Sequence, residues 1–145
     1  MDSSNWKPTP TDIVIMQQTC WLDEPLRAYE LFAPDIVTTM NVDGSAIPMG
    51  GTISGRDEFF AQLGRFRDVF AILDYKPRIY SAEHDTVRSR VDMLLRHRKS
   101  GEVVMFKKRT VYIIRDNMMV RIDEYVDHAM METFMRMVSS LEAGA

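Results

Sequence analysis

A single cysteine, Cys20, stands among 145 residues, so no disulfide forms within the chain and packing must hold the fold together. Histidine is scarce as well: His84, His97 and His128 show no metal-ligand spacing with one another or with Cys20, so no metal site is expected. No run approaches the ~20 apolar residues of a membrane-crossing helix. The opening MDSSNWKPTPTD has neither the basic flank nor the apolar stretch of a secretion signal. A glycine-rich phosphate loop, a Gly-x-Ser-x-Gly elbow and a dinucleotide fingerprint are all missing. Charge of one sign is not in large excess: eighteen basic against twenty-one acidic side chains leave −3, which argues against a dedicated polyanion binder but leaves room for a local basic patch. These absences together predict a soluble, cytoplasmic protein without cofactor or metal that binds neither nucleic acid nor membrane.

What is present is ordinary for a globular protein, with 46% hydrophobic and 27% charged residues, and the length suits one domain. Residues 11–141 read as that domain, between a loose lead-in (1–10) and a short tail (142–145). Ile13, Met16, Cys20 and Trp21 recur at helical spacing, with Thr11 or Asp12 available as cap. Asp23, Glu24 and Pro25 signal a second helix start, striped by Leu26, Tyr29, Phe32 and Ala33 and stopped by Pro34. The β-branched segment 35–42 reads as a strand, followed by a turn-prone stretch with Gly44, Pro48, Gly50 and Gly51. Ser54 and Asp57 have capping-box spacing and open a third helix, with Phe59, Leu63, Phe66 and Phe70 on one face and an end near Ile72.

The second half changes character. Four β-rich runs, 75–83, 86–98, 102–115 and 118–126, are joined by short turn signals that imply antiparallel hairpins, and Pro77 places the first run at an edge or a bulge. Asp127 then caps a last helix lined by Met130, Phe134, Met137, Val138 and Leu141. The pattern predicts an α+β domain with a twisted antiparallel sheet and helices covering one of its faces, and a strongly curved sheet closed by three helices would enclose a pocket.

This order of elements resembles the nuclear transport factor 2-like superfamily, which includes SnoaL-like cyclases, ketosteroid isomerases and limonene epoxide hydrolases, and the resemblance implies a cone-shaped fold: a strongly curved, mixed but mainly antiparallel sheet packed against three to four helices. The carriers of the resemblance are W-L-D-E-P-L-R-A-Y-E-L-F (21–32), D-I-V-T-T-M-N (35–41), G-R-D-E-F-F from Gly55, and R-I-D-E-Y-V-D (121–127). The segment Arg90-Val91-Asp92 is similar to the Arg-x-Asp of limonene epoxide hydrolases, and Glu124 to Asp127 resembles that family's closing D-Y-F-D. The resemblance implies that Glu124 lies where the family's water-activating aspartate does and that Asn41 helps hold the water. The tyrosine that binds the water there is replaced by Thr39. It also implies a homodimer through the exposed sheet face, where Tyr80, Tyr125 and Val111 are apolar members.

Strand alternation independently puts Glu124 with Val120, Ile122 and Val126 on the apolar face, where a carboxylate suits proton transfer; the plainer alternative is a Glu at the cone's mouth satisfied by a basic neighbour. Arg90 and Asp92 face solvent if their strand alternates simply, and turn inward beside Glu124 only if a bulge reverses the phase. The expected catalytic set is therefore Glu124, Asp92 and Arg90. The expected substrate wall is Asn41, Met40, Met49, Phe59, Leu63, Met105, Tyr112 and Ile122, its methionines supplying compliance. Asp43 beside Gly44 reads as a turn residue, and Asp123 as surface or interface. The basic cluster from Arg88 to Arg109, with Lys107 and Lys108, reads as the wet face of an antiparallel sheet or as salt-bridging across a dimer interface. The expected function is cofactor-free acid/base chemistry on a small apolar molecule: isomerisation, cyclisation or epoxide hydration. The alternative is a non-catalytic module of the same fold that binds a ligand or assembles with another chain.

Overall fold

The structure, a computed structural model, describes residues 7–143. Residues 1–6 of the expected lead-in and 144–145 of the expected tail lie outside the described residues. Helix α1 (Pro10–Cys20) begins one residue earlier than expected and is capped by Thr9 rather than Thr11 or Asp12. Thr9 Oγ1 accepts from the Asp12 N–H at 3.2 Å and Asp12 Oδ2 accepts from the Thr9 N–H at 2.8 Å, a reciprocal box that satisfies both donors. Helix α2 (Pro25–Glu30) is a short turn and a half. Its expected stripe does not form: Leu26 is 81% exposed, and Phe32 and Ala33 already belong to strand β1 (Phe32–Met40). Pro34 does not stop a helix but sits in β1 where the pairing with the neighbouring strand shifts register, a place where a missing N–H costs no ladder bond.

A short strand β2 (Gly51–Ser54), read in the sequence only as part of a loop, pairs antiparallel with β1. Because Ser54 is in that strand, it does not cap helix α3 (Arg56–Val69); Gly55 takes the cap position at φ +91°, and Asp57 accepts the Tyr29 hydroxyl instead. Helix α3 ends at Val69, before Ile72, because Phe70 turns extended and opens β3 (Phe70–Glu83). Strands β4 (Thr86–His97), β5 (Val103–Arg115) and β6 (Met118–Val126) complete the meander, with Asp116 and Asn117 both at positive φ in the last hairpin turn. The six strands run in the order β2-β1-β6-β5-β4-β3, all pairs antiparallel except β1 with β6. This is the expected α+β architecture: a mixed, curled, unclosed sheet with four helices.

Two register shifts lie in β3 and one near the β5–β6 turn, so the ladder bends at the sheet edge while β4 and β5 stay in step throughout. Helix α4 (His128–Ala143) follows, with Asp127 Oδ1 accepting from the Met130 N–H at 3.1 Å. Its buried face is Met131, Phe134 and Val138; Met137 and Leu141, expected on that face, are 42% and 49% exposed. Phe134 stacks with Phe70, tying this helix to the start of β3. Helices α1 and α3 cover the concave face of the sheet, and the aromatic side chains between them form the core. Among the described residues no helix is long and apolar enough to cross a membrane.

Candidate active site

Pleating sends alternate residues of β6 to opposite faces, and Ile122, Glu124 and Val126 point inward, all buried. Glu124 pairs with Thr110 on β5 and lies beside Met40 on β1. Two residues before Thr110 on the same face of β5 stands Lys108, whose Nζ is 3.0 Å from Glu124 Oε2. The side chains of this ion pair are 14% and 11% exposed, so it is almost entirely inside the protein. Both side chains line a narrow cavity. Phe59, Phe60, Phe66 and Phe106 wall it, and Met40, Met49, Leu63, Tyr112 and Ile122 also face it.

Helix α1 supplies the polar side of the cavity. Gln17 and Trp21, one turn apart, both line it, and neither the Gln17 Oε1 acceptor nor the Trp21 N–H donor has a hydrogen-bond partner. Buried polar atoms are normally paired, so these two mark a place where a ligand group or water completes the bonding. On the next turn face, Gln18 Nε2 donates to Ser89 Oγ at 3.0 Å and to the Tyr112 hydroxyl oxygen at 3.3 Å. With its oxygen already accepting, Tyr112 keeps its own O–H free to donate. Burial pushes the Tyr112 phenol well above its usual value; the Gln18 bond pulls the other way and the Glu124 charge adds to the rise. Tyr75, edge-on to Trp21 at 5.1 Å between rings, is pushed up by burial, with Tyr112 and Glu124 adding to it and the Trp21 side chain pulling the other way. Both phenols are therefore protonated donors across the neutral range.

The expected set divides by strand phase. Glu124, Met40, Met49, Phe59, Leu63, Tyr112 and Ile122 lie together at the cavity. Arg90 and Asp92 do not join them: β4 carries no bulge, so both are exposed on the opposite face of the sheet. Met105 is 44% exposed for the same reason, because β5 turns Val104, Phe106 and Lys108 inward and the residues between them outward. Asn41 is exposed and already used. Its Nδ2 donates to the Val126 carbonyl at 3.0 Å and its Oδ1 accepts from the Val126 N–H at 2.8 Å, so it staples β1 to β6 rather than holding water. Asp43 is a turn residue, accepting from the Ser45 N–H and hydroxyl, which hold its carboxyl below the usual range. Asp123 faces outward beside Thr39 and Arg121; burial raises its carboxyl, but the hydrogen bonds from those two outweigh it and the net direction is down.

Lys108, Gln17, Trp21 and Tyr75 were not among the expected site residues. Lys108 was legible, since it alternates with Phe106, Thr110 and Tyr112, but it is masked in sequence by its neighbours Lys107 and Arg109. Among the described residues no group of three or more His, Cys, Asp and Glu side chains gathers as a metal site would require.

No protein-family model and no curated protein matches the sequence. Solved structures do match the fold. A protein of Rhodopseudomonas palustris provisionally named an isomerase superimposes with a TM-score of 0.75 at 9% identity, over 91% of this chain and 98% of that one. The chain adopts the nuclear transport factor 2-like fold. Two further proteins share this nuclear transport factor 2-like architecture. One, from Mesorhizobium loti, is described as a SnoaL-like polyketide cyclase, with a TM-score of 0.66 and 15% identity over 80% of this chain and 94% of that one. The other is TerC, co-crystallised with polyporic acid, with a TM-score of 0.73 and 14% identity over 88% of this chain and 99% of that one.

Proposed function

We propose that this protein is a cofactor-free acid/base catalyst acting on a small, largely apolar, oxygen-bearing molecule, with Glu124 as the proton-transferring base. The observation that carries the proposal is the buried Glu124–Lys108 pair lining an aromatic-walled cavity. Lys108 holds the carboxylate in one orientation, and a neighbouring ammonium also steadies negative charge that develops on the substrate. Tyr112, its oxygen occupied by Gln18, donates its O–H to a substrate oxygen, and the unpaired Trp21 N–H offers a second donor. Removal of a proton beside a carbonyl by Glu124, with the resulting oxyanion bonded by these neutral donors, is the reaction class that suits this arrangement. Water addition to an epoxide is less well supported, since Arg90, Asp92 and Asn41 stand away from Glu124 or are engaged elsewhere. The neighbours provisionally named an isomerase and a polyketide cyclase, and TerC co-crystallised with polyporic acid, support a small organic molecule as ligand.

A panel of small cyclic ketones, cyclohex-2-enone and 2-tetralone among them, tests the proposal in D2O by following loss of the protons beside the carbonyl by NMR. Enzyme-accelerated exchange is expected, and Glu124→Gln lowers it by about 10²–10⁴-fold. A different outcome supports the binding module instead: quenching of Trp21 fluorescence by the same compounds with no acceleration over buffer.

A further inference from the structure

Gln17 faces the cavity with an acceptor that no group of the protein uses. Its side chain and that of Trp21 are enclosed, the two residues being only 9% and 8% exposed. Helix α1 ends at Cys20 with Trp21 as its cap, so positions 17 and 21 lie one turn apart on one helix face, with Cβ atoms ~5–6 Å from each other. Both line the cavity, and Gln17 Oε1 and the Trp21 N–H each lack a hydrogen-bond partner. Gln18, the next residue, shows the contrast: its amide nitrogen is spent on Ser89 and Tyr112. A buried acceptor left unpaired carries a desolvation cost that a complementary group recovers. The other polar groups of the cavity are one-sided. Tyr75 and Tyr112 stay protonated and Trp21 brings an N–H, so three neutral donors face a ligand, while Glu124 is held by Lys108. Among the described residues that line the cavity, Gln17 alone has an uncharged carbonyl oxygen in its side chain.

We infer that Gln17 is a specificity-determining residue that reads a hydroxyl group on the substrate, so that the preferred ligand is a cyclic hydroxy ketone rather than a plain ketone; this rests on the reading of the cavity as a site for a small oxygen-bearing molecule. The substrate's carbonyl oxygen accepts from Tyr112 and Trp21, and a hydroxyl on the same edge of the ring donates to Gln17 Oε1. A plain ketone satisfies the donors and leaves the Gln17 oxygen buried without a partner. Sites of this kind discriminate by penalising the analogue that lacks the hydroxyl, because the protein's own polar group is then stranded. The one-turn spacing of Gln17 and Trp21 sets the geometry: the hydroxyl and the carbonyl oxygen belong on one edge of the ligand, not across its ring. The Tyr75 ring, edge-on to the indole, holds Trp21 to this side. A water molecule is the rival occupant, and it would serve a ketone and a hydroxy ketone alike.

Calorimetric titration of the full chain at pH 7 with 1-tetralone, 7-hydroxy-1-tetralone and 5-hydroxy-1-tetralone tests the assignment. The first lacks the hydroxyl, the second carries it on the carbonyl edge, and the third carries it on the far side of the ring. The wild type is expected to bind the 7-hydroxy compound at least about 10-fold more tightly than either of the others. Gln17→Leu should bring that compound down to the level of 1-tetralone while 1-tetralone binds as well as before or better, a reversal that a merely structural defect does not produce. Circular dichroism confirms that the variant is folded, and the wild-type series alone is able to overturn the assignment. Binding is read without turnover, so the result does not depend on proton exchange. Equal binding of the three compounds, a preference for 1-tetralone, or a preference for the 7-hydroxy compound that survives Gln17→Leu overturns the role of Gln17 and leaves the acid/base reading standing. Absence of binding by all three overturns both.

Discussion

Lys108 and Arg109 are consecutive on β5, and the pleat gives each a different face of the sheet. Lys108 is enclosed among aromatic rings and bonded to Glu124. Arg109 is exposed, stands in line with two other arginines, and meets no acid among the described residues. The first cation is expensive to bury and is compensated inside the molecule; the second is hydrated, and its compensation is left to whatever comes from outside. A charge's burial, more than its sign, decides which of its interactions matter.

The sharpest break of this contrast is removal of one partner on the concave side. Lys108→Met leaves Glu124 enclosed without its counter-ion and should lower unfolding stability by about 3 kcal/mol, read from urea unfolding at pH 7. Combining it with Glu124→Leu should return most of that loss, since two apolar side chains of similar volume suit the aromatic wall. A loss below ~0.5 kcal/mol for Lys108→Met would put the pair with surface ion pairs and erase the distinction between the two faces.

The phenols on the same side make a second test, in pH. Burial raises Tyr75 and Tyr112 above the value they have in the unfolded chain, about 10. Below that pH both states hold the protons and the contribution to stability is complete. As pH rises past it the unfolded chain releases protons that the folded chain retains, so stability falls by roughly 1.4 kcal/mol per pH unit for each phenol. Urea midpoints between pH 9 and 11.5 should decline in the wild type and decline less steeply in Tyr112→Phe. Identical slopes would mean that the phenol reaches solvent through the cavity.

Much of this molecule was legible from pattern alone, and the gaps have physical reasons. The hairpins from β3 to β6 announce themselves by β-branched runs and short polar turns, and Glu124 is placed inward by simple alternation. Arg90 and Asp92 were ambiguous because a bulge anywhere in β4 would invert them, and the bulges fall in β3 instead. Gln17 escaped notice because it lies on a helix whose polar residues look like a solvent face until another element covers them, and Trp21 was read only as a member of that helix's apolar stripe. The error at Pro34 is of another kind: a proline that reads as a helix stop is equally at home in a strand where the ladder is already interrupted.

On the convex side the expected effect is smaller and has the opposite sign. In the free protein Arg90 sits between Arg78 and Arg109 in direct cross-strand register, with only the Tyr80 ring beside it in compensation. Such like-charged pairs cost roughly 0.2–1 kcal/mol each, so Arg90→Gln should stabilise the chain by about 0.5 kcal/mol at low ionic strength. The gain should shrink toward zero in 1 M NaCl, where charges are screened over ~3 Å. A variant that is more stable separates the two faces cleanly, since on the concave face loss of a cation weakens the fold. If Arg90→Gln instead destabilises the chain at every salt concentration, the guanidinium is a packing element over Tyr80, and the line of arginines carries no net repulsion.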